Sequence, residues 1–435
     1  MKEKIIKLAT EMQNELVAFR RDFHKHAEAA WTEFRTGSIL AKHLEALGYQ
    51  VLVGEEVVDE KAMMGVPSEE ELNKHIERAK AQGAFVQYLD KMKGGKTGVV
   101  AILKTNKPGP VIGLRFDFDA NDMNESREET HRPCKEGFSS INDGAMHACA
   151  HDGHAAVGLG VAKLLMELKD DLAGTIKLIF QPAEEGVRGA ASMTAKGVVD
   201  DINYLLGAHL GTAAKENGQL ICGTNGFLAT SKLDAHFKGV PAHAGAKPEE
   251  GKSALLAACA ATMSMQGIYR HSGGTSRINI GVLQAGTGRN VVPDRAVVKI
   301  ETRGVTSEID DFVKKEAIRM INASAAMYDV EVQIKEAGGA KSGKSDDELV
   351  ELAKEIGKES GLFTSIEDPA ILGGSEDITY FMERVQKNGG KANYIMIGTK
   401  LAAGHHDGRF DFDEDVLSKA VAVLSMMVKH LADKK

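Results

Sequence analysis

Cysteine is scarce in this chain: Cys134, Cys149, Cys222 and Cys259 are the four among 435 residues. That is too few for a disulfide framework, and a cytoplasmic protein with reduced thiols is expected. Long apolar runs are missing too. None approaches the roughly 18 residues that a membrane helix needs. The first 23 residues are amphipathic, with acidic residues mixed in and no apolar core before a small-residue cleavage site, so no signal peptide is read there. Nor is there an excess of positive charge. The net charge is −8, which argues against nucleic acid or an anionic membrane as partner, since either wants a basic face. A small anionic substrate stays open, because one or two placed cations suffice for it. Internal repeats and low-complexity tracts are absent. What remains is a globular composition, 43% apolar and 27% charged, long enough for two or three segments around a sizeable core.

Apolar residues at Ile5, Leu8, Met12, Leu16 and Phe19 have helical spacing and predict a helix over 4–22. A second is predicted over 36–47, ending near Gly48. Short, nearly continuous apolar runs at 98–103, 110–115, 175–180 and 204–208 read as strands of a sheet covered on both faces. A helix at 153–168 lies among them. The stretch 55–95, rich in Glu, Lys and Ala, reads as an inserted helical segment. The middle of the chain differs: strand 230–238, helix 251–268, strands 277–283 and 295–302, helix 306–327, strand 329–335. That β-α-β-β-α-β order is a ferredoxin-like unit. Helix 346–360, strand 393–398 and helix 413–432 then resume the first pattern. The expected fold class is α/β: a sheet-and-helix domain in two parts, 1–227 and 341–435, with an inserted ferredoxin-like α+β domain at 228–340.

Four places put metal-ligand residue types just beyond a buried strand or in a tight loop, where α/β sheets bind ligands. Cys149 and His151 stand two apart, so an extended loop turns both side chains one way. A thiolate with an imidazole suits Zn²⁺, and a bridging thiolate also serves Mn²⁺. Asp152 fits an N-cap for the helix that follows. Gln181-Pro182-Ala183-Glu184-Glu185-Gly186 follows the strand at 175–180. One of its two carboxylates can bind metal while the other serves as general base. His209 ends a strand, and His405-His406 sit in a Gly-flanked loop. Each place alone also fits a bland reading: a buried cysteine with capping neighbours, a solvated acidic turn, rim or surface histidines. Together they offer one thiolate, three imidazoles and two carboxylates, enough for two metal ions sharing about five protein ligands.

Cys149-Ala150-His151-Asp152-Gly153-His154, Gln181–Gly186, His209, and His406 with Phe410 and Asp413-Glu414 resemble the amidohydrolase branch of the aminoacylase/carboxypeptidase-type metallopeptidases. So do Arg20-Arg21-Asp22-Phe23-His24 with Glu28, the segment 114–120 and the loop Gly239-Val240-Pro241-Ala242-His243-Ala244-Gly245. The inserted segment near 57–87, the stretch 131–149, and the runs Gly288-Arg289-Asn290-Val291-Val292-Pro293 and 401–414 are similar to a narrower group of aroyl-glutamate hydrolases within it. The resemblance implies hydrolysis of the amide bond of N-aroyl or N-acyl amino acids, p-aminobenzoyl-glutamate above all. A broader hippurate-type amidohydrolase is the alternative, as is a chain that works only with a homologous partner, and a metal-dependent binding protein is a third class. It implies two divalent ions, Mn²⁺ or Zn²⁺, and a homodimer or a heterodimer with a homologous subunit, formed through the inserted lid domain.

The same resemblance implies roles. Cys149, His151, Glu185, His209 and His406 are the ligands, Cys149 being shared. His406 is taken over His405 because the family's ligand precedes a Phe by four residues, as His406 precedes Phe410. Glu184 is the general base. His243 donates to the oxyanion, often from the neighbouring protomer, and Asn290 contacts substrate. From the residues alone, Arg289 could pair with a glutamate carboxylate, and Ser375 in 373–377 could cradle one at a helix start. Asp117 and Asp119, and Asp152 with them, are read as groups that orient the ligand histidines from behind or fix the loop, and His147 and His154 as structural. One departure stands out. The family has Gly where this chain has Ala150, and a methyl there fits an extended backbone but strains a positive-φ turn.

Overall fold

Strands form along the short apolar runs, and helices between them bury what the strands expose. The computed structural model describes residues 1–434. Its strands, in chain order, are β1 (Gln50–Val53), β2 (Val99–Lys104), β3 (Val111–Asp117), β4 (Thr175–Gln181), β5 (Tyr204–Leu210), β6 (Gln219–Ile221), β7 (Thr224–Asn225), β8 (Ala229–Lys238), β9 (Ser276–Ala285), β10 (Arg295–Gly304), β11 (Glu331–Ala340), β12 (Ser365–Glu367), β13 (Ala370–Ile371) and β14 (Lys391–Ile397). The chain divides into two compact units. The first takes Met1–Asn225, Lys344–Leu372 and the chain from Asp377 onward; the second takes Gly226–Gly343 and Gly373–Glu376.

The first unit holds a mixed eight-stranded sheet, β1-β2-β4-β3-β5-β14-β6-β12. Its centre is parallel, β4 beside β3, β3 beside β5 and β5 beside β14. Side chains alternate between faces. Leu114, Leu178 and Leu206 meet one apolar core with Leu16, Phe23, Leu40, Val161, Leu165, Leu424 and Val428 from the helices. On the other face, Ile378, Phe381, Met382 and Val385 of the helix Ile378–Lys387 are buried, and a Cβ on Gly207 would lie 2.4 Å from Ile378. The helix His151–Glu167 is buried nearly all round, as a helix between a sheet and other helices must be. The expected helix over 4–22 is two, Lys2–Glu11 and Gln13–Lys25, meeting at Met12. The segment after β1 does carry helices, Glu69–Ala81 and Val86–Met92, which send Leu72, Ile76, Ala79 and Leu89 into the core.

The second unit runs β8, helix Ala254–Met265, β9, β10, helix Ser307–Met327, β11. Its sheet, β11-β8-β10-β9, is antiparallel throughout. Leu233, Ala235 and Phe237 of β8 and Ala296, Val298 and Ile300 of β10 face the helices, where Ala257, Ala258, Ala261 and Ile321 meet them. The first helix is shorter than the expected 251–268 because Ser253 caps it, its hydroxyl accepting the Leu256 N–H. No helix among the described residues is long and apolar enough to cross a membrane.

Candidate metal centre

Three neighbouring parallel strands deliver the site. β3 ends at Asp117 and runs on to Asp119, β4 leads into Pro182–Glu185, and β5 carries His209 near its end. The helix His151–Glu167 begins there as well, with Cys149 just before it. Ligand atoms of Cys149, His151 and His209 lie within 4.8 Å of one another, and so do those of Cys149, Glu185 and His406. Two triads thus share one thiol. The second is closed by His406, far along the chain from Cys149, which no local pattern could show.

Each imidazole is set from behind. His209 Nδ1 donates to the Leu210 carbonyl at 2.8 Å, so its Nε2 lone pair faces Cys149 Sγ at 3.5 Å. Burial, with His154 and His405 nearby, holds His209 neutral well below its ordinary pKa. His151 Nδ1 donates to the Asp119 carbonyl at 3.0 Å. Its Nε2 is buried, makes no hydrogen bond, and lies 3.9 Å from Glu184 Oε2. Burial opposes charge on His151, but Asp117, Asp119 and Cys149 outweigh it and raise its pKa well above the ordinary value. A field that favours a cation on this ring also favours a metal ion beside it. Glu185 Oε1 is likewise buried without a hydrogen bond, 3.4 Å from His406 Nε2. Burial pushes the Cys149 thiol up to about 12, a thiol that a metal ion would deprotonate. The unpaired His151 Nε2 and Glu185 Oε1, gathered with the Cys149 thiol and the His209 and His406 rings, fit a divalent metal.

The other predicted residues fall as follows. Asp119 accepts the Glu184 and Glu185 N–H groups at 3.0 and 2.8 Å, besides meeting His151. Asp117 binds His154 Nδ1, whose Nε2 accepts the Leu210 N–H at 2.9 Å. Both nitrogens of His154 are therefore committed to structure. His147 is buried with neither ring nitrogen hydrogen-bonded. His405 Nε2 accepts the Thr212 N–H at 2.9 Å, which removes that nitrogen from ligation and leaves His406 in the triad. Asp152 needs correcting. It is not the N-cap, which Ala150 occupies with no side-chain cap, and its Oδ1 accepts the first-turn Gly153 N–H at 2.9 Å rather than orienting a ligand. Asp152 Oδ2 instead pairs with Arg20 Nε and His24 Nδ1, both at 2.8 Å.

In the second unit, His243 is exposed and its Nδ1 accepts the N–H groups of Gly245 and Ala246 at 3.2 and 3.1 Å. Nε2 is then the protonated nitrogen, a donor. The loop of Asn290 pairs with this one, the Asn290 carbonyl accepting the Ala244 N–H at 3.0 Å. Arg289 is exposed in the same loop. The Ser375 hydroxyl donates to the Leu228 carbonyl at 2.8 Å, and the helix after it starts only at Ile378. Sequence reasoning missed Asp377. It is buried, accepts the Gly189 and Ala190 N–H groups at 3.0 and 2.9 Å, and anchors the loop after Glu185. Its place two residues after Ser375 was the available signal.

Backbone strain gathers here. Of the non-glycine residues at positive φ, Ala150, Ala183, Val187, Thr212 and His406 all lie within three positions of a donor. Ala150 has φ 65 and ψ 13, so the methyl does sit in a left-handed turn. That conformation costs an alanine about 1–2 kcal/mol, and glycine's freedom in the unfolded chain returns about 0.5–1 kcal/mol. Ala150→Gly is expected to raise stability by about 0.5–1 kcal/mol, read as a higher Tm with unchanged metal stoichiometry. An unchanged or lower Tm would show that the turn carries no such strain.

The sequence profile of peptidase family M20/M25/M40 matches residues 113–430. The chain is 47% identical over 424 residues to a p-aminobenzoyl-glutamate hydrolase subunit of Escherichia coli (strain K12), covering 97% of each. It is 48% identical over 413 residues to indole-3-acetyl-aspartic acid hydrolase of Enterobacter agglomerans, covering 95% of this chain and 94% of that one. Among solved structures, the aminobenzoyl-glutamate utilization protein from Klebsiella pneumoniae superposes with a TM-score of 0.85 at 39% identity, over 98% of this chain and 97% of that one.

Proposed function

The chain belongs to peptidase family M20/M25/M40, and from that premise we propose that it is a two-metal amidohydrolase whose substrate is an aromatic acyl group joined to an acidic amino acid, p-aminobenzoyl-glutamate first. The observation that carries this reading is the pair of triads sharing Cys149, with Glu184 beside them. The two relatives support the substrate class, since both are named for an aromatic acyl group on glutamate or aspartate. Cytoplasmic action suits a chain whose four cysteines are all free.

In this reading Cys149, His151 and His209 hold one ion and Cys149, Glu185 and His406 the other, as Mn²⁺ or Zn²⁺. When bound, the ions supply Lewis acidity and make water a nucleophile near neutral pH. Glu184 takes the proton of the attacking water at its carboxylate and hands it to the leaving nitrogen. His243 donates its Nε2–H to the carbonyl oxygen as charge develops there. Arg289 and Asn290 supply a cation and an amide for the carboxylates of the amino-acid half, and Ser375, whose hydroxyl proton is held on the Leu228 carbonyl, offers its backbone N–H.

The test is to load the purified chain with Mn²⁺ or Zn²⁺ and follow release of p-aminobenzoate, with benzoyl- and acetyl-amino acids as competitors. Cleavage favouring p-aminobenzoyl-glutamate is expected. No cleavage of any amide with either metal, alone or with a homologous partner chain, sinks the reading. Activity only with the partner favours a second reading, a dependent member of a two-chain enzyme, which the Escherichia coli relative suggests by being named a hydrolase subunit. The two histidines of the loop should separate cleanly. His406→Ala is expected to lose one metal equivalent and about 100-fold or more in kcat, whereas His405→Ala keeps both equivalents, as metal analysis of the two proteins will show.

A further inference from the structure

The turn bearing Glu184 and Glu185 is held by a group to which the proposed mechanism gives no part. Three consecutive N–H groups in it donate to buried carboxyl oxygens: Ala183 to Glu33 Oε1 at 2.8 Å, Glu184 and Glu185 to the two oxygens of Asp119. Asp119 also orients His151. Glu33 touches no ligand, yet it is fully buried. Burying a carboxyl is costly unless its hydrogen bonds matter. Capping its own helix is not the reason. At the start of Phe34–Leu47 the Arg35 and Thr36 N–H groups donate to Glu28 instead, at 3.1 and 2.8 Å, and Glu33 makes no cap bond. What Glu33 does reach is Ala183, with its second oxygen accepting the Thr97 hydroxyl at 2.7 Å.

A second contact points the same way. Ala30 and Trp31 form a closed apolar cluster with Ala183, and Trp31 is fixed by its indole N–H on the Met64 carbonyl at 2.8 Å. The segment before the helix thus holds Ala183 by its methyl and by its N–H. Ala183 is also the residue of the turn with φ +54, a conformation that an L residue keeps only when its surroundings enforce it. The Ala183 carbonyl accepts the Arg188 and Gly189 N–H groups at 3.1 and 2.8 Å, so the kink is closed on the far side as well.

We propose that Glu33 is a positioning residue for the reaction: by holding the Ala183 N–H it keeps the left-handed kink that presents Glu184 and Glu185 to the rest of the site. Burial, with the Asp119 charge adding to it, pushes the Glu33 carboxyl up to about 8 against the hydrogen bonds from Thr97 and the backbone. A glutamine keeps the C=O that accepts from Ala183, and its amide N–H₂ donates to the Thr97 oxygen once the Thr97 hydroxyl turns to the Gly95 carbonyl.

The kinetic arm rests on the amide-hydrolase reading; a second arm does not. In the metal-loaded chain, deuterium exchange is followed in a peptide spanning 180–190. Glu33→Ala is expected to exchange about tenfold faster there, the factor that one lost hydrogen bond carries, with kcat about 100-fold lower, KM and metal content retained, and Tm lowered but still above the assay temperature. Glu33→Gln restores both readouts. Adding Ala183→Gly to Glu33→Ala recovers part of kcat, because glycine keeps the kink without help. If Glu33→Ala does not fold, Glu33→Asp, shorter by one methylene, carries the same expectation. Wild-type exchange in 180–190, or a kcat loss that follows lost metal or unfolding at the assay temperature, overturns the proposal. A wild type that cuts no amide overturns the proposed function instead, and the exchange result then decides this inference by itself.

Discussion

Glu184→Gln is expected to lower kcat about a thousandfold while metal content stays at the wild-type level. Glutamine keeps the size and shape of the side chain but cannot accept a proton. Glu184 is 8% exposed, its N–H is held on Asp119, and its Oε2 lies 3.9 Å from His151 Nε2. It thus reaches the donor set without belonging to either triad that shares Cys149. The loss should fall on kcat, with KM nearly unchanged, because the lost interaction is made in the transition state. Steady-state kinetics and metal analysis of the same sample check this. Activity surviving the change would move the base elsewhere, and loss of a metal equivalent would make Glu184 a ligand.

The second large effect is on stability. Arg20 is fully buried among three carboxylates: Asp152 at 2.8 Å, Asp411 at 2.9 Å and Glu414 at 3.2 Å. Arg132 and Arg21 join from outside, Arg21 on Glu414 at 2.6 Å and Arg132 on Glu414 at 2.9 Å. Arg20→Met keeps much of the volume and leaves buried charge uncompensated. A destabilisation of about 3–5 kcal/mol is expected, measured by urea unfolding. The pH dependence has a definite sign. Burial alone would raise Asp411, but the Arg132 hydrogen bond and the Arg20 charge hold it below the usual carboxylate range. Glu414 is held down likewise by Arg21, Arg20 and Arg132 against burial. Carboxylates with depressed folded pKa values add stability above their unfolded values, near pH 4, and lose it as pH falls through the lower folded ones. Acid unfolding of the wild type should therefore set in below about pH 4 and move upward in Arg20→Met. Equal urea midpoints for the two proteins would show that the network contributes nothing net.

Local chemistry was legible in the sequence, and long-range pairing was not. The strands at 175–181 and 204–210 could be read because buried central strands are continuous apolar runs, and the middle domain because its elements alternate at the right lengths. β6 and β12 could not: at three residues each, they are too short for a period to show. Of the helix Ile378–Lys387 only a start at 373–377 was read, not its extent, although its apolar stripe, Ile378, Phe381, Met382 and Val385, is regular. Its neighbours in sequence, a Gly-Gly-Ser run, drew the reading to a ligand cradle. Asp152 shows the limit most plainly. Position alone suggests an N-cap, whereas its partner Arg20 lies 132 residues away. Ala150 is the converse: its departure from the family's glycine could be seen, but only the backbone angle tells which way the methyl matters.

The buried Arg20 network also sets an order of events during synthesis. Asp411 and Glu414 lie 391 and 394 residues after Arg20, and the helix Lys2–Glu11 packs on Val416–Ala432. Lys2–Glu11 and Gln13–Lys25 leave the ribosome long before Val416–Ala432 and must wait for it to complete their contacts. Contacts this distant slow folding, whereas Gly226–Gly343 is emitted as one block and can collapse at once. A ribosome stalled before residue 411 would therefore display a formed insert while the first unit still lacks the helix Val416–Ala432, with Arg20 still short of two of its three carboxylates.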